Sequence, residues 1–181
     1  ARSLRATLTP EEGSRISQAA TGSLSAYDFY LRGREAYGLY QAEANDEAIR
    51  LFREALELDP EYARAWAGLG DAFSQRVGRF GFPLSWADSA LSASERATEI
   101  APDLPDAYKA LGLAQGTLGD ANSSLESYLR AIELDPSHLA AVNNIGAAYF
   151  ERGDFAEQHL WRMRSFRLAP NAPGRRTEVA W

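Results

Sequence analysis

The phrases ALELDP at residues 55–60, ATEIAP at 97–102, AIELDP at 131–136 and SFRLAP at 165–170 each close on a proline. Pro60, Pro102, Pro136 and Pro170 are 42, 34 and 34 residues apart. A recurring period of this size marks a solenoid of repeated supersecondary units, none of which can bury its apolar face alone. A chain built this way offers a surface for holding other proteins more readily than a pocket for chemistry.

Working outward from the prolines, the same alignment brings Gly33, Gly70, Gly112 and Gly146 into register, each inside a helical pattern. Glycine there costs roughly 0.5–1 kcal/mol relative to alanine. Four such costs at matching places imply that a neighbouring helix passes too close for a side chain. One turn earlier stand Phe29, Trp66, Tyr108 and Val142, so a bulky residue and a glycine share one helix face. A second helix follows in each copy, carrying Ala48, Phe52 and Ala55, then Ala90, Ser94 and Ala97, then Ser124, Tyr128 and Ala131. The fourth copy departs, with Gln158, Arg162 and Ser165 at those places.

Trp66, Leu69, Gly70, Phe73, Ala90, Ala97 and Pro102, with Tyr108, Leu111, Gly112, Tyr128, Ala131 and Pro136, resemble the pattern of the tetratricopeptide repeat family. Copy one departs from it by Arg32 before the glycine and by about three extra residues between Ala36 and Ala48, and copy two by about eight between Phe73 and Ala90. The resemblance implies an all-α, right-handed α-solenoid of four helix-turn-helix repeats, at about 26–60, 61–102, 103–136 and 137–170. Residues 1–25 then form an N-terminal helix and linker, and residues 171–181 a tail. Thr9, Pro10 and Glu12 read as the start of that short helix, ending near Ala20. Within the repeats the expected helices are 26–41, 46–58, 63–77, 84–100, 105–118, 120–134, 139–152 and 154–168. Asp59-Pro60 and Asp135-Pro136 end helices because proline pushes its predecessor out of helical geometry.

Composition agrees. Of 181 residues 45% are hydrophobic, enough for a continuous core once repeats stack. No run approaches the length of apolar residues that spans a membrane, so no membrane insertion is expected. The absence of cysteine removes disulfides, thiolate nucleophiles and zinc-thiolate sites; it fits the cytoplasm and is compatible with the periplasm. His138 and His159 have no two-ligand spacing, and no phosphate loop occurs, so no cofactor, metal or catalytic residue is assigned and the chain is read as not an enzyme. The net charge of -6 and the scattered basic residues speak against nucleic acid.

By the family resemblance the first helices line a concave groove, and the reading is a non-catalytic module that binds a peptide or helix of a partner protein there. Helical spacing nominates Tyr27, Tyr30, Arg34 and Tyr37 from copy one, Arg64, Asp71 and Gln75 from copy two, Lys109 and Leu113 from copy three, and Asn143, Asn144, Ala147, Phe150 and Glu151 from copy four. Tyrosine and arginine are enriched at interface hot spots. The alternative for the tyrosines is packing against the N-terminal helix. Repeats of this family that grip the carboxylate tail of heat-shock chaperones use lysine, asparagine and arginine at set stations. Here those stations read Tyr30, Arg34, Ala67, Gly68, Asp71, Asp106 and Ala110, and only Asn144 fits, so that clamp is not expected.

The copy-two insertion, RVGRFGFPLSW at residues 76–86, is either a contact loop or a seal in which Phe80, Phe82 and Trp86 fold back over the lengthened helix ends. In the last helix Leu160, Trp161, Met163 and Phe166 leave apolar surface for the tail's Val179 and Trp181, a following domain, or a second copy of the chain. Residues 2–16 followed by AYDFYLRGREAY resemble the junction before repeat arrays in bacterial multidomain signalling proteins. That gives a second reading, a regulatory region whose cyclase, kinase or DNA-binding output lies elsewhere.

Overall fold

The computed structural model describes residues 21–170, and the expected N-terminal helix, most of the junction segment and the tail lie outside them. The described residues form eight helices: α1 (Leu24–Gly38), α2 (Ala42–Leu58), α3 (Ala63–Phe80), α4 (Ser85–Ile100), α5 (Pro105–Thr117), α6 (Ala121–Leu134), α7 (Leu139–Glu151) and α8 (Phe155–Leu168). No strand occurs among them. Each pair packs antiparallel on itself, and each second helix also packs on the first helix of the next pair. The first helices α1, α3, α5 and α7 touch in succession, whereas no two second helices among the described residues touch. The layer whose members touch is the more closely spaced one, so it is the inner side of the curve, and the second helices fan out behind it.

Each proline phrase ends its helix in the same way. Asp59, Ala101, Asp135 and Ala169 all leave helical geometry, with φ between -134° and -147° and positive ψ. At the starts, Ser23 and Asp120 accept backbone N–H groups through their side chains, and Pro105 opens α5 where its missing N–H is harmless.

The glycine register translates into close approach at three of four places. A methyl group on Gly33 would lie 2.8 Å from the Phe52 ring. One on Gly112 would lie 2.7 Å from the Tyr128 ring and 2.9 Å from the Ser124 carbonyl. On Gly70 it would overlap the Ser94 hydroxyl and stand 3.2 Å from the Ala90 carbonyl. Gly146 differs, since its methyl would meet only Trp161 Cβ at 3.6 Å, an ordinary contact. Gly68, which the alignment does not single out, completes the socket of Phe52, with the ring 2.7 Å from where its methyl would be. Fully buried Phe52 therefore fills a slot between α1 and α3 that two glycines keep open.

Both insertions lie where the sequence places them, but much of each is helix and not link. The turn joining α1 to α2 matches those joining α5 to α6 and α7 to α8: three residues with a left-handed centre, Tyr40 (φ 54°), Gly119 (φ 89°) and Gly153 (φ 78°). The three extra residues of copy one are an added turn at the start of α2, so that helix begins at Ala42 and not near Asp46. Copy two lengthens α3 to Phe80 before Gly81 (φ 70°) ends it. These additions pack on each other. Asn45 in the added turn of α2 donates to the Ala72 carbonyl and to Gln75 Oε1, both at 2.9 Å, and Asp46 pairs with Arg76. The Arg76 guanidinium lies 4.3 Å from the Phe82 ring centre and 4.5 Å from that of Trp86, while Arg79 covers Tyr40 at 4.9 Å. The copy-two loop is thus folded back as a seal.

The core lies in two parts. One surrounds Tyr30, Phe52, Tyr62, Leu69 and Phe73 in the first two repeats, the other Tyr128, Ile132, Val142 and Ile145 in the last two. Between them runs a seam of Ala67, Ala97, Ala107 and Ala110, closed by Trp66 and Leu104.

Candidate functional site

The nominated residues divide into those spent on the fold and those open to solvent. Tyr30 is 5% exposed, its ring 5.2 Å from Tyr62 and 6.0 Å from Phe52. It belongs to the core, and its hydroxyl accepts a 3.1 Å hydrogen bond from Arg34 Nη1. Asp71 and Lys109 are also buried and form an ion pair between α3 and α5, beside the alanine seam that leaves room for them. Gln75 is buried as well, accepting from Asn45 and donating to the Tyr37 carbonyl at 3.4 Å.

The remainder face outward along the inner layer. Tyr27 is 37% exposed, Arg34 is exposed, and Tyr37 and Arg64 are half-buried. At the other end Asn143 is exposed and accepts from Ser165 of α8, while half-buried Asn144 reaches the Tyr128 hydroxyl. Phe150 is 56% exposed and meets Phe155 edge-on at 5.9 Å. The nominated set is thus one surface with an aromatic and basic end on α1 and α3, an internally neutralised middle, and an apolar end on α7.

One pairing in that middle is absent from the sequence reading, in which Asp106 is a groove station and His138 a lone histidine. Asp106 lies 3.1 Å from His138 Nε2, and His138 Nδ1 accepts the Ala141 N–H at 3.2 Å, capping α7. Since Nδ1 accepts, the ring proton sits on Nε2 and is donated to Asp106. The imidazole therefore joins α5 to the start of α7. Its place directly before a helix was the available signal. Burial alone would raise the Asp106 carboxyl, but the His138 hydrogen bond and the charges of Lys109 and Arg34 hold it well below its ordinary range. Burial likewise works against the Arg34 guanidinium, and the attraction of Tyr30, Asp71 and Asp106 more than offsets it. The Tyr37 phenol is pushed up by burial, with Asp71 adding to it. These couplings link α1, α3, α5 and the start of α7 across one surface.

On the opposite side a cleft of about 760 Å³ opens between α2 and α4, floored by Leu56, Leu69, Phe73 and Ala93 and rimmed by Arg53 and Arg96. No cluster of metal-ligating side chains occurs among the described residues. None of the described helices is long and apolar enough to cross a membrane.

Paired antiparallel helices with a touching inner layer, glycine sockets and proline stops define a helical-repeat protein of the helix-turn-helix type. A TPR repeat signature matches residues 37–76 and a tetratricopeptide repeat signature residues 109–161, between them about half of the chain; the chain belongs to the tetratricopeptide repeat family. The human tetratricopeptide repeat protein 13 is 30% identical over 138 residues, which are 76% of this chain and 16% of that protein. The chain thus spans a small part of the relative's length. Among solved structures, the thermophilic TPR protein TTC0263 of Thermus thermophilus superposes with a TM-score of 0.72 at 16% identity, over 86% of this chain and 80% of that one. The first TPR domain of Spaghetti (RPAP3), bound to the HSP90 peptide SRMEEVD, superposes with a TM-score of 0.56 at 20% identity, over 74% of this chain and 97% of that one. At these identities the likeness speaks to the fold.

Proposed function

We propose that the chain is a protein-protein interaction module that holds a peptide or helix of a partner protein on its inner face, without catalysis. The observation that carries this is the composition of that face. Its solvent-facing positions hold Tyr27, Arg34, Tyr37, Arg64, Asn143 and Phe150, large side chains of the kind that anchor interfaces. The family is an interaction fold, and a domain of similar fold has been solved bound to an HSP90 peptide, which supports the reading of a peptide-holding module. Tyr30, Asp71 and Lys109 take part as supports that hold the surface in shape.

The test is a paired capture experiment. The intact array is compared with Tyr27→Ala, Arg34→Ala and Arg64→Ala combined, and with Arg53→Ala and Arg96→Ala combined on the cleft between α2 and α4. Loss of a captured partner with the first set alone supports the inner face. Loss with the second set alone moves the contact to the cleft between α2 and α4.

A further inference from the structure

The cleft between α2 and α4 and the last helix of the array are opposites in charge and shape. On α4 the cleft wall is Ser89, Ser92 and Ala93. The place of Ser92, ten residues before the repeat proline, holds Arg50, Glu126 and Leu160 in the other copies. A large side chain is therefore missing here, and a trough is open above Leu56, Leu69 and Phe73. Its walls are acidic. Helix α2 carries Glu43, Asp46, Glu47, Glu54 and Glu57 against Arg50 and Arg53, and α4 carries Asp88, Glu95 and Glu99 against Arg96. Glu57 and Asp88 on the rim are exposed and have no cation within ion-pair range among the described residues. Helix α8 is the reverse, with Glu157 against Arg162, Arg164 and Arg167. Leu160, Met163 and Arg167 form one outward stripe on it, with Leu160 59% exposed at a place where the other copies present polar residues to water. Arg162 and Arg167 have no carboxylate within ion-pair range among the described residues. Within its own chain α8 touches only α7 of the described helices, so an α8 that enters the cleft comes from a second molecule.

We infer that α8 of one copy docks in the α2–α4 cleft of a second copy, with Leu160 and Met163 in the trough and Arg162 and Arg167 against Glu57 and Asp88. Apolar surface leaves water on both sides, and the opposed charges steer the encounter and set its register. The two surfaces differ, so the contact is heterologous. Mutual exchange of α8 helices closes a pair, and one-way docking runs on as a chain. The inner face takes no part, so self-association and the holding of a partner there are separate properties.

The test is sedimentation equilibrium of the whole chain at rising concentration. The expected result is a mass above that of the monomer, with the dissociation constant raised roughly tenfold or more by Leu160→Glu with Met163→Glu, and likewise by Ser92→Arg. The first change sets carboxylates on the stripe that faces an acidic cleft. The second fills the cleft with the residue type that copy one carries at that place, so the fold accommodates it. Circular dichroism checks that both variants keep their helices. Mixed together, the two variants should associate again as one-to-one pairs and stop there, because one supplies an intact cleft and the other an intact α8. Rising salt should weaken the native contact. A native chain that stays monomeric at every concentration overturns the inference and leaves α8 to the tail, a following domain or a different protein. Association that survives Ser92→Arg, or a mixture that fails to pair, overturns it as well. If self-association is lost instead on the combined Tyr27→Ala, Arg34→Ala and Arg64→Ala changes, it runs through the inner face, and this inference falls while the inner-face reading stands.

Discussion

The first and fourth repeats use one plan and differ in how tightly they close it. In the first, the Phe52 ring from α2 enters a slot lined by Gly33 and Gly68, and both glycines are in use. In the fourth, the matching place on α8 is Arg162, which is exposed, and Gly146 has nothing closer than Trp161 Cβ to accommodate. Exposed apolar side chains go with the looser closure: Phe155 is 63% and Leu160 59% exposed on α8, whereas α2 keeps Leu51, Phe52 and Leu56 inside. A glycine at the family position therefore permits close approach without enforcing it. The side chain on the second helix decides whether the space is used.

The strongest way to break the contrast is to empty the tight socket. Phe52→Ala removes a fully buried ring touched from two repeats and should cost about 3–5 kcal/mol, measured as the shift in urea unfolding. Arg162→Ala, at the equivalent place of the fourth repeat, should stay within about 0.5 kcal/mol.

The seam between the two core halves is the next point to probe. Asp71→Ala strands the Lys109 ammonium between α3 and α5 and should destabilise by roughly 3 kcal/mol. Replacing both partners, Asp71→Leu with Lys109→Met, should recover most of that loss, because no charge is left buried alone. Failure of the double variant to recover would mean that the pair specifies how the two halves dock.

Much of this is legible in the chain. The proline period and the glycine register place the eight described helices to within a few residues, because each helix end is written locally. The exception is instructive: by spacing alone the extra residues before Ala48 lengthen the link between helices, yet they extend α2 by a turn. Polar side chains such as Asn45, which binds Gln75 and the Ala72 carbonyl, turn an apparent linker into a packed helix. The inner face is legible as a face, since spacing alone says which residues share it. Which members are open is not, because that depends on partners far along the chain. Asp71 meets Lys109, Asp106 meets His138, and Tyr30 meets Phe52 and Tyr62.

Gly112→Ala sharpens the comparison from the glycine side. Its methyl would press on the Tyr128 ring and on the Ser124 carbonyl, and backbone cannot swing away as a side chain can. A loss of about 1–3 kcal/mol is expected in urea unfolding.

The link to the last repeat also depends on acid. Asp106 has a folded pKa below its ordinary value, so its contribution is complete above the ordinary carboxylate range and is lost as pH falls through the depressed folded value. As pH falls from about 5 to about 2, the native chain should lose more stability than Asp106→Asn, which has no carboxyl to protonate. Equal losses in the two, measured as urea midpoints, would show that the α5–α7 junction owes nothing to this charge.

The smallest effect is expected where the loose repeat leaves its glycine idle, and there the sign reverses. Gly146 lies inside α7, and its added methyl would sit 3.6 Å from Trp161 Cβ, at ordinary contact distance. Alanine lowers the backbone entropy of the unfolded chain and favours the helix, so Gly146→Ala should stabilise by about 0.5–1 kcal/mol, where the same change at Gly112 destabilises. The pair of thermal or urea midpoints is a direct measure of how far the two interhelical contacts differ. Should Gly146→Ala prove as costly as Gly112→Ala, the last repeat would be as tight in solution as its neighbour, and the exposed apolar face of α8 would need a cause other than slack at this contact.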